Sequence, residues 1–116
     1  MSTLRFLGTG WSHGVPAVGC TCPVCTGAHP KNIRRRPSLH LFSGDTSLVI
    51  DVGADFRDQV RTFGVPHLDG VFITHAHADQ VMGLDDIRRF TWAQKEPVGL
   101  YAGPETLARL KELLPY

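Results

Sequence analysis

Apolar and polar positions along this chain follow two periods, and the switches between them mark the elements. "TLRFLG" (Thr3 to Gly8) reads as a short strand stopped by Gly8 and Gly10. From roughly Thr9 to Pro37 neither period holds, and the stretch is rich in Gly, Pro and Cys. Loops of that length are functional or are held by something other than hydrogen-bonded ladders. "LHLFSGDTSLVIDVG" predicts a β-hairpin turning at Ser43-Gly44-Asp45-Thr46. "DFRDQVRTFG" puts Phe56, Val60 and Phe63 on one helical face, with Gly64 as the stop. "LDGVFITH" predicts a buried strand, and "EPVGLYAG" another, opened by Pro97. Between them Asp85 or Asp86 is placed to cap a short helix carrying Ile87, Phe90 and Trp92. "GPETLARLKELLPY" is the clearest helix, with Pro104 in the first turn and a Leu107, Leu110, Leu114 stripe.

The order is strand, loop, hairpin, helix, strand, helix, strand, helix. It predicts an α/β (α+β) chain: one mixed sheet with helices on one face. Strands such as "SLVI" and "VFIT" are apolar on both sides, so the second face of that sheet needs a cover. Either further chain or a second copy, as a homodimer, supplies it.

Composition narrows the function. The chain has 116 residues, 42% apolar and 20% charged, with a formal net charge of +1. A chain so near neutrality lacks the field of a dedicated nucleic-acid binder. No apolar run approaches the ~20 residues of a membrane span, and "MSTLRFLGTG" lacks the apolar core of a signal peptide. A cytoplasmic location is the expectation. The three cysteines are odd in number and crowded into "GCTCPVC". In a reducing compartment that favours metal over disulfides.

The candidate chemistry lies in "FITHAHADQVMGLDD". His75 and His77, two residues apart at a strand end, would point the same way and meet one metal ion. Asp79 continues the parity and can ligate a second ion or hold a metal-bound water. Zinc suits such nitrogen and oxygen donors and acidifies bound water to a pKa of about 7. Gln80 stands beside these residues with the look of a replaced ligand.

"THAHADQ" resembles the H-x-H-x-D-H signature of the metallo-β-lactamase-fold hydrolases. "FLGTGWSHGVPAVGCTCPVC", "RRRPS", "IDVGADFRDQ" and "VGLYAGPETLARL" are similar to its phosphodiesterase branch, which includes phosphoribosyl 1,2-cyclic phosphate phosphodiesterase. The resemblance implies an αββα sandwich of two similar halves, of which residues 1–116 would be the N-terminal one, with the cysteine loop at about 9–37 inside it. It implies His75 and His77 on a first metal, and Asp79 on a second, orienting the nucleophile. Asp51 would stand behind the site and hold a histidine in place. The metal would be zinc, with manganese or iron as alternatives, and the substrate a small cyclic phosphodiester. Where the family has a second-metal histidine, this chain has Gln80. The remaining family ligands belong to the second half.

Cys20, Cys22 and Cys25 can clamp one zinc and fix a loop that has no core of its own. The resemblance implies a histidine from the later half as fourth ligand; His29 is a local candidate and His40 a weaker one. Arg34, Arg35 and Arg36 could meet a phosphate, but a solvated loop is the preferred reading. Two functions compete with the hydrolase. One is a metal-binding fragment or remnant without catalytic competence, which self-associates through its open sheet face. The other is RNA processing of the tRNA 3′-end type, against which the charge and the cysteine loop both speak.

Overall fold

A computed structural model describes residues 1–116. Five strands form one sheet in sequence order: β1 (Ser2–Gly8), β2 (Ser38–Ser43), β3 (Thr46–Ile50), β4 (Gly70–Phe72) and β5 (Gly99–Tyr101). The first three are antiparallel neighbours, and β3, β4 and β5 run parallel. The β2–β3 hairpin turns on two residues, with Gly44 at φ 56° in the first central position. The parallel pairs need crossovers, supplied by α2 (Phe56–Phe63) and by the segment holding α3 (Ala78–Val81) and α4 (Ile87–Gln94). The helix α5 (Pro104–Leu113) follows β5, and α1 (Pro23–Thr26) is a single turn in the cysteine loop.

Register separates the two faces of the sheet. Val49 lies between His40 and Val71 on the helix-covered face. There Leu7, Val49, Val71, Val52, Phe56, Leu68 and Leu110 form one core, joined from the helices by Val60, Phe63, Ile87, Phe90 and Leu114. Phe56, Val49, Val52 and Leu68 are fully buried, each contributing about 1.5–3 kcal/mol by removal from water. Arg5 binds α2 to the edge strand: its guanidinium donates to the carbonyl of Phe63 at 2.9 Å and lies over the Phe42 ring. Gly64, at φ 63°, ends α2 in the left-handed conformation.

The opposite face carries two cross-strand rows. Leu4, Leu41, Leu48 and Gly70 form one; Phe6, Leu39, Ile50, Phe72 and Tyr101 form the other. None of these residues is charged. Phe6 is 60% exposed and Tyr101 52%, and the Phe72 and Tyr101 rings stack at 4.8 Å. The layer arrangement is the expected one, helices on one face and an apolar second face uncovered. No helix is long and apolar enough to cross a membrane.

Two local expectations are corrected, and one element was not anticipated. The strand expected through His75 ends at Phe72, because the next amides leave the β3 ladder: Ile73 donates to Tyr101 and Thr74 to the Asp51 side chain. The pattern of "ADQV" gave no warning of α3. Asp86 occupies the cap position of α4 without a capping hydrogen bond, while Asp85 pairs with Arg88 and Tyr116 instead. Trp92 lies on α4 as expected and is 56% exposed, with Arg88 and Arg89 over its ring.

Candidate metal centre

The ends of β3 and β4 build the site. At the end of β3 the chain turns at Asp51, whose φ of 63° is a left-handed conformation that Asp tolerates better than most residues. The turn is pinned to α3: Val52 donates to the Gln80 carbonyl at 2.7 Å, and Gly83 donates to the Val52 carbonyl at 3.0 Å. Gly53 and Gly83 allow this approach. A Cβ on Gly53 would lie 2.3 Å from the Asp79 carbonyl oxygen, and one on Gly83 would lie 2.1 Å from that of Gly53. The Asp51 turn and the histidine loop are thereby locked together.

Asp51 is buried, and both its carboxylate oxygens are used by Thr74. The Thr74 amide donates to Oδ1 at 2.8 Å, and its hydroxyl lies 3.0 Å from Oδ1 and 2.8 Å from Oδ2. Thr74 Oγ1 also lies 3.0 Å from His75 Nδ1. Asp51 therefore reaches His75 through Thr74.

His75 and His77 face one another from the loop after β4. His75 Nε2 lies 3.1 Å from His77 Nδ1, and the rings meet edge to face. Two nitrogens bound tetrahedrally to one zinc at about 2.0–2.1 Å stand about 3.3–3.4 Å apart. The pair thus presents its nitrogens at nearly chelating separation, and an ion placed between them replaces the one proton they share. The donor chemistry fits a divalent transition metal. Both rings are solvent-exposed and open onto a cavity of about 240 Å³ that Glu105, Thr106 and Arg109 of α5 also line. Sequence reading missed Thr74 and this polar side of α5; nothing in local spacing links residues thirty positions apart.

Asp79 departs from the expected parity. It lies in the first turn of α3, because the helix begins at Ala78, and it accepts a hydrogen bond from Gln80 Nε2 at 2.7 Å. Gln80 is buried, and its Oε1 has no partner.

The cysteines come together more tightly. The sulfurs of Cys20, Cys22 and Cys25 all lie within 4.8 Å of one another on an exposed loop. Cys22 caps α1, its sulfur accepting from the Cys25 amide at 3.4 Å, and the Ala17 amide approaches the Cys25 sulfur. The Cys25 amide, with help from the neighbouring thiols, lowers the Cys22 thiol to a pKa of about 7. Thiolate is then available near neutrality, and thiolate is the form that binds metal. Neither histidine candidate joins the group: His29 Nδ1 accepts from the Lys31 amide, and buried His40 pairs with Ser47 Oγ at 2.9 Å. The three arginines all have partners within the fold. Arg34 bonds Thr9 and the Lys31 carbonyl, Arg35 pairs with Asp58, and Arg36 pairs with Asp55 at 2.9 Å. Arg35 and Arg36 tie this segment to α2 and its cap residue, which a simple solvated loop does not describe.

A five-stranded mixed sheet with helices on one face and an H-x-H loop at its carboxyl edge is the N-terminal part of a metallo-β-lactamase fold. The chain belongs to the family described as the beta-lactamase superfamily domain, whose profile matches residues 46–116. It superposes on the crystal structure of a new diphosphatase from the PhnP family with a TM-score of 0.94 and 38% identity, covering 99% of this chain and 46% of that one. Zinc-bound PqqB from Methylobacterium extorquens matches with a TM-score of 0.76 and 26% identity, over 97% of this chain and 40% of that one. An octanoyltransferase of Porphyromonas gingivalis is 39% identical over 111 residues, 95% of this chain and 22% of that protein. The chain thus spans less than half the length of these relatives. The family match and these likenesses place the chain in the metallo-β-lactamase superfamily, of which the PqqB structure is zinc-bound.

Proposed function

We propose that this chain supplies the first-metal half of a metal-dependent phosphodiesterase acting on small cyclic phosphodiesters. The observation that carries the reading is the His75–His77 pair, with its nitrogens 3.1 Å apart at the mouth of a cavity. The likeness to a diphosphatase of the PhnP family supports phosphorus–oxygen bond cleavage as the reaction class. His75 and His77 hold the ion, zinc in the first instance, with manganese or iron as alternatives. Asp51 and Thr74 hold His75, and Asp79 is the carboxylate nearest in sequence to orient the attacking water. The ion, when bound, supplies Lewis acidity and activates that water. Arg109, on the cavity wall, offers a cation to the phosphate. The three cysteines hold a second, structural ion. Zinc catalysis ordinarily takes three protein ligands, so the remaining ligands come from beyond these residues. A reducing, cytoplasmic setting suits three free thiols.

A second reading has its own observation. Gln80 occupies Asp79 with its amide, which favours a metal-binding module without turnover, self-associating through its open sheet face. Hydrolysis of bis(p-nitrophenyl) phosphate by zinc- and manganese-loaded protein, with native mass spectrometry for metal content and oligomeric state, separates the two. Metal-dependent turnover lost in His75→Ala supports the hydrolase. Metal-loaded protein without turnover supports the module. Protein that takes up no metal through these residues sinks both.

A further inference from the structure

We propose that the groove between α2 and α4 is a docking site for an acidic, amphipathic segment of a partner protein. The groove lies in the helix layer and shares no lining residue with the cavity beside His75 and His77.

The pairing of the arginines singles it out. Arg5, Arg34, Arg35, Arg36, Arg88 and Arg109 each have an acceptor within the fold. Those left are Arg57, Arg61 and Arg89, and all of them line one cavity of about 380 Å³. Each is exposed, and no carboxylate ion-pairs with any of them. A chain whose formal net charge is only +1 thus gathers its uncompensated guanidinium charge in a single place. Arg89 lies 5.4 Å from the centre of the Trp92 ring, a stacking contact that leaves its N–H edges free to donate.

The floor of the groove is apolar. The Phe56 and Phe90 rings stand 6.3 Å apart there, with Val60 and Ala93 beside them. Arg57 and Arg61 are one turn apart on α2, which sets their Cβ atoms about 5–6 Å from each other. Acidic residues one turn apart on a second helix have the same spacing. A helix laid along the groove therefore sets its apolar stripe on the floor and its carboxylates on Arg57 and Arg61, with Arg89 on the opposite wall. Arg binds carboxylates bidentately, and an amphipathic helix in a groove is a recurrent mode of peptide recognition.

Two features disfavour other occupants. Asp86 lines the same groove without an ion-pair partner, and its charge repels a continuous polyanion such as a nucleic-acid backbone, which needs a longer cationic track. The apolar floor is concave, out of reach of a flat lipid surface.

The test is fluorescence polarisation at low salt with the full chain. The probe is a fluorescein-labelled amphipathic peptide carrying glutamates one helical turn apart beside a leucine stripe. Binding should saturate and should weaken as salt is added. It should fall at least about tenfold in Arg57→Glu/Arg61→Glu and in Arg89→Glu, and stay unchanged in Lys111→Glu on α5. The same peptide with serine for leucine should bind about tenfold more weakly. Far-ultraviolet dichroism checks that each variant is folded; Arg61→Gln, which removes charge without reversing it, should weaken binding by a smaller factor and serves if a reversal does not fold. Binding that does not saturate at millimolar peptide overturns the proposal. So does an equal loss in Lys111→Glu, or equal affinity for the serine peptide. Tighter binding of an oligothymidylate or of phosphatidylserine vesicles, lost in the same arginine variants, assigns the groove to another class of partner and overturns it as well.

Discussion

Gln80 donates its side-chain amide to the Asp79 carboxylate, with Nε2 2.7 Å from Oδ2. The opposite amide orientation would press two acceptors together, so the nitrogen must face Asp79 and the oxygen must face away. That oxygen is buried without a partner. The residue thus withholds its only ligating atom from any ion at Asp79.

Replacing Gln80 by His should put a ligating nitrogen beside Asp79. We expect Gln80→His to tighten zinc binding by roughly tenfold, about 1.4 kcal/mol. Chelator competition on a variant with the three cysteines changed to serine isolates this site. Equal affinity in the two proteins would mean that side chain 80 does not face the ion.

The approach of the Asp51 turn to α3 should be intolerant of a single methyl group. Gly53→Ala sets a Cβ 2.3 Å from the Asp79 carbonyl oxygen, and relief requires backbone movement at a cost of about 1–3 kcal/mol. Gly103, whose Cβ would meet nothing within 4 Å, is the control, and Gly103→Ala should stay within about 0.5 kcal/mol of the natural protein. Urea denaturation midpoints measure both. Equal midpoints for the two variants would refute the close approach.

Stability should fall as the solution is acidified through the histidine range. Burial, then the nearby Arg5 and His67 charges, hold the His40 imidazole below its ordinary pKa of 6.5. The unfolded chain takes up a proton there that the folded chain resists, so stability present above pH 6.5 declines as pH drops through the folded-state value. Thermal melts between pH 8 and pH 5 should show this decline, and His40→Gln should flatten it. A slope unchanged by the substitution would assign the effect to other groups.

Charge placed on the open sheet face should suppress self-association without unfolding the chain. Phe6→Asp and Phe72→Lys lie in the uncovered apolar row. Sedimentation velocity should show a lower association state for both, with far-ultraviolet dichroism unchanged. Natural protein that is already monomeric at high concentration would argue that this face is covered in another way.

The elements legible in the sequence are those whose cause is local. Gly64 ends α2 and Gly44 turns the hairpin because the required positive φ is a property of the residue itself. The Leu110 side of α5 faces the core because a 3.6-residue period fixes which side chains share a face. The cysteine cluster was legible too, since a six-residue span leaves three thiols little room to separate. His75 and His77 meet as their spacing suggested, but from a loop rather than a strand.

What only the tertiary structure decided is every relationship between distant segments. Asp51 and Thr74 are 23 residues apart, and they touch because β3 and β4 are parallel neighbours whose ends coincide. Asp79 left the expected parity because α3 starts one residue before it, its backbone held by the Asp51 turn. His40 went to Ser47 rather than to the cysteines because β2 carries it into the interior beside β3. A sequence period reports which neighbours share a face; which faces then meet depends on strand order and packing, and those are settled only when the whole chain has buried its core.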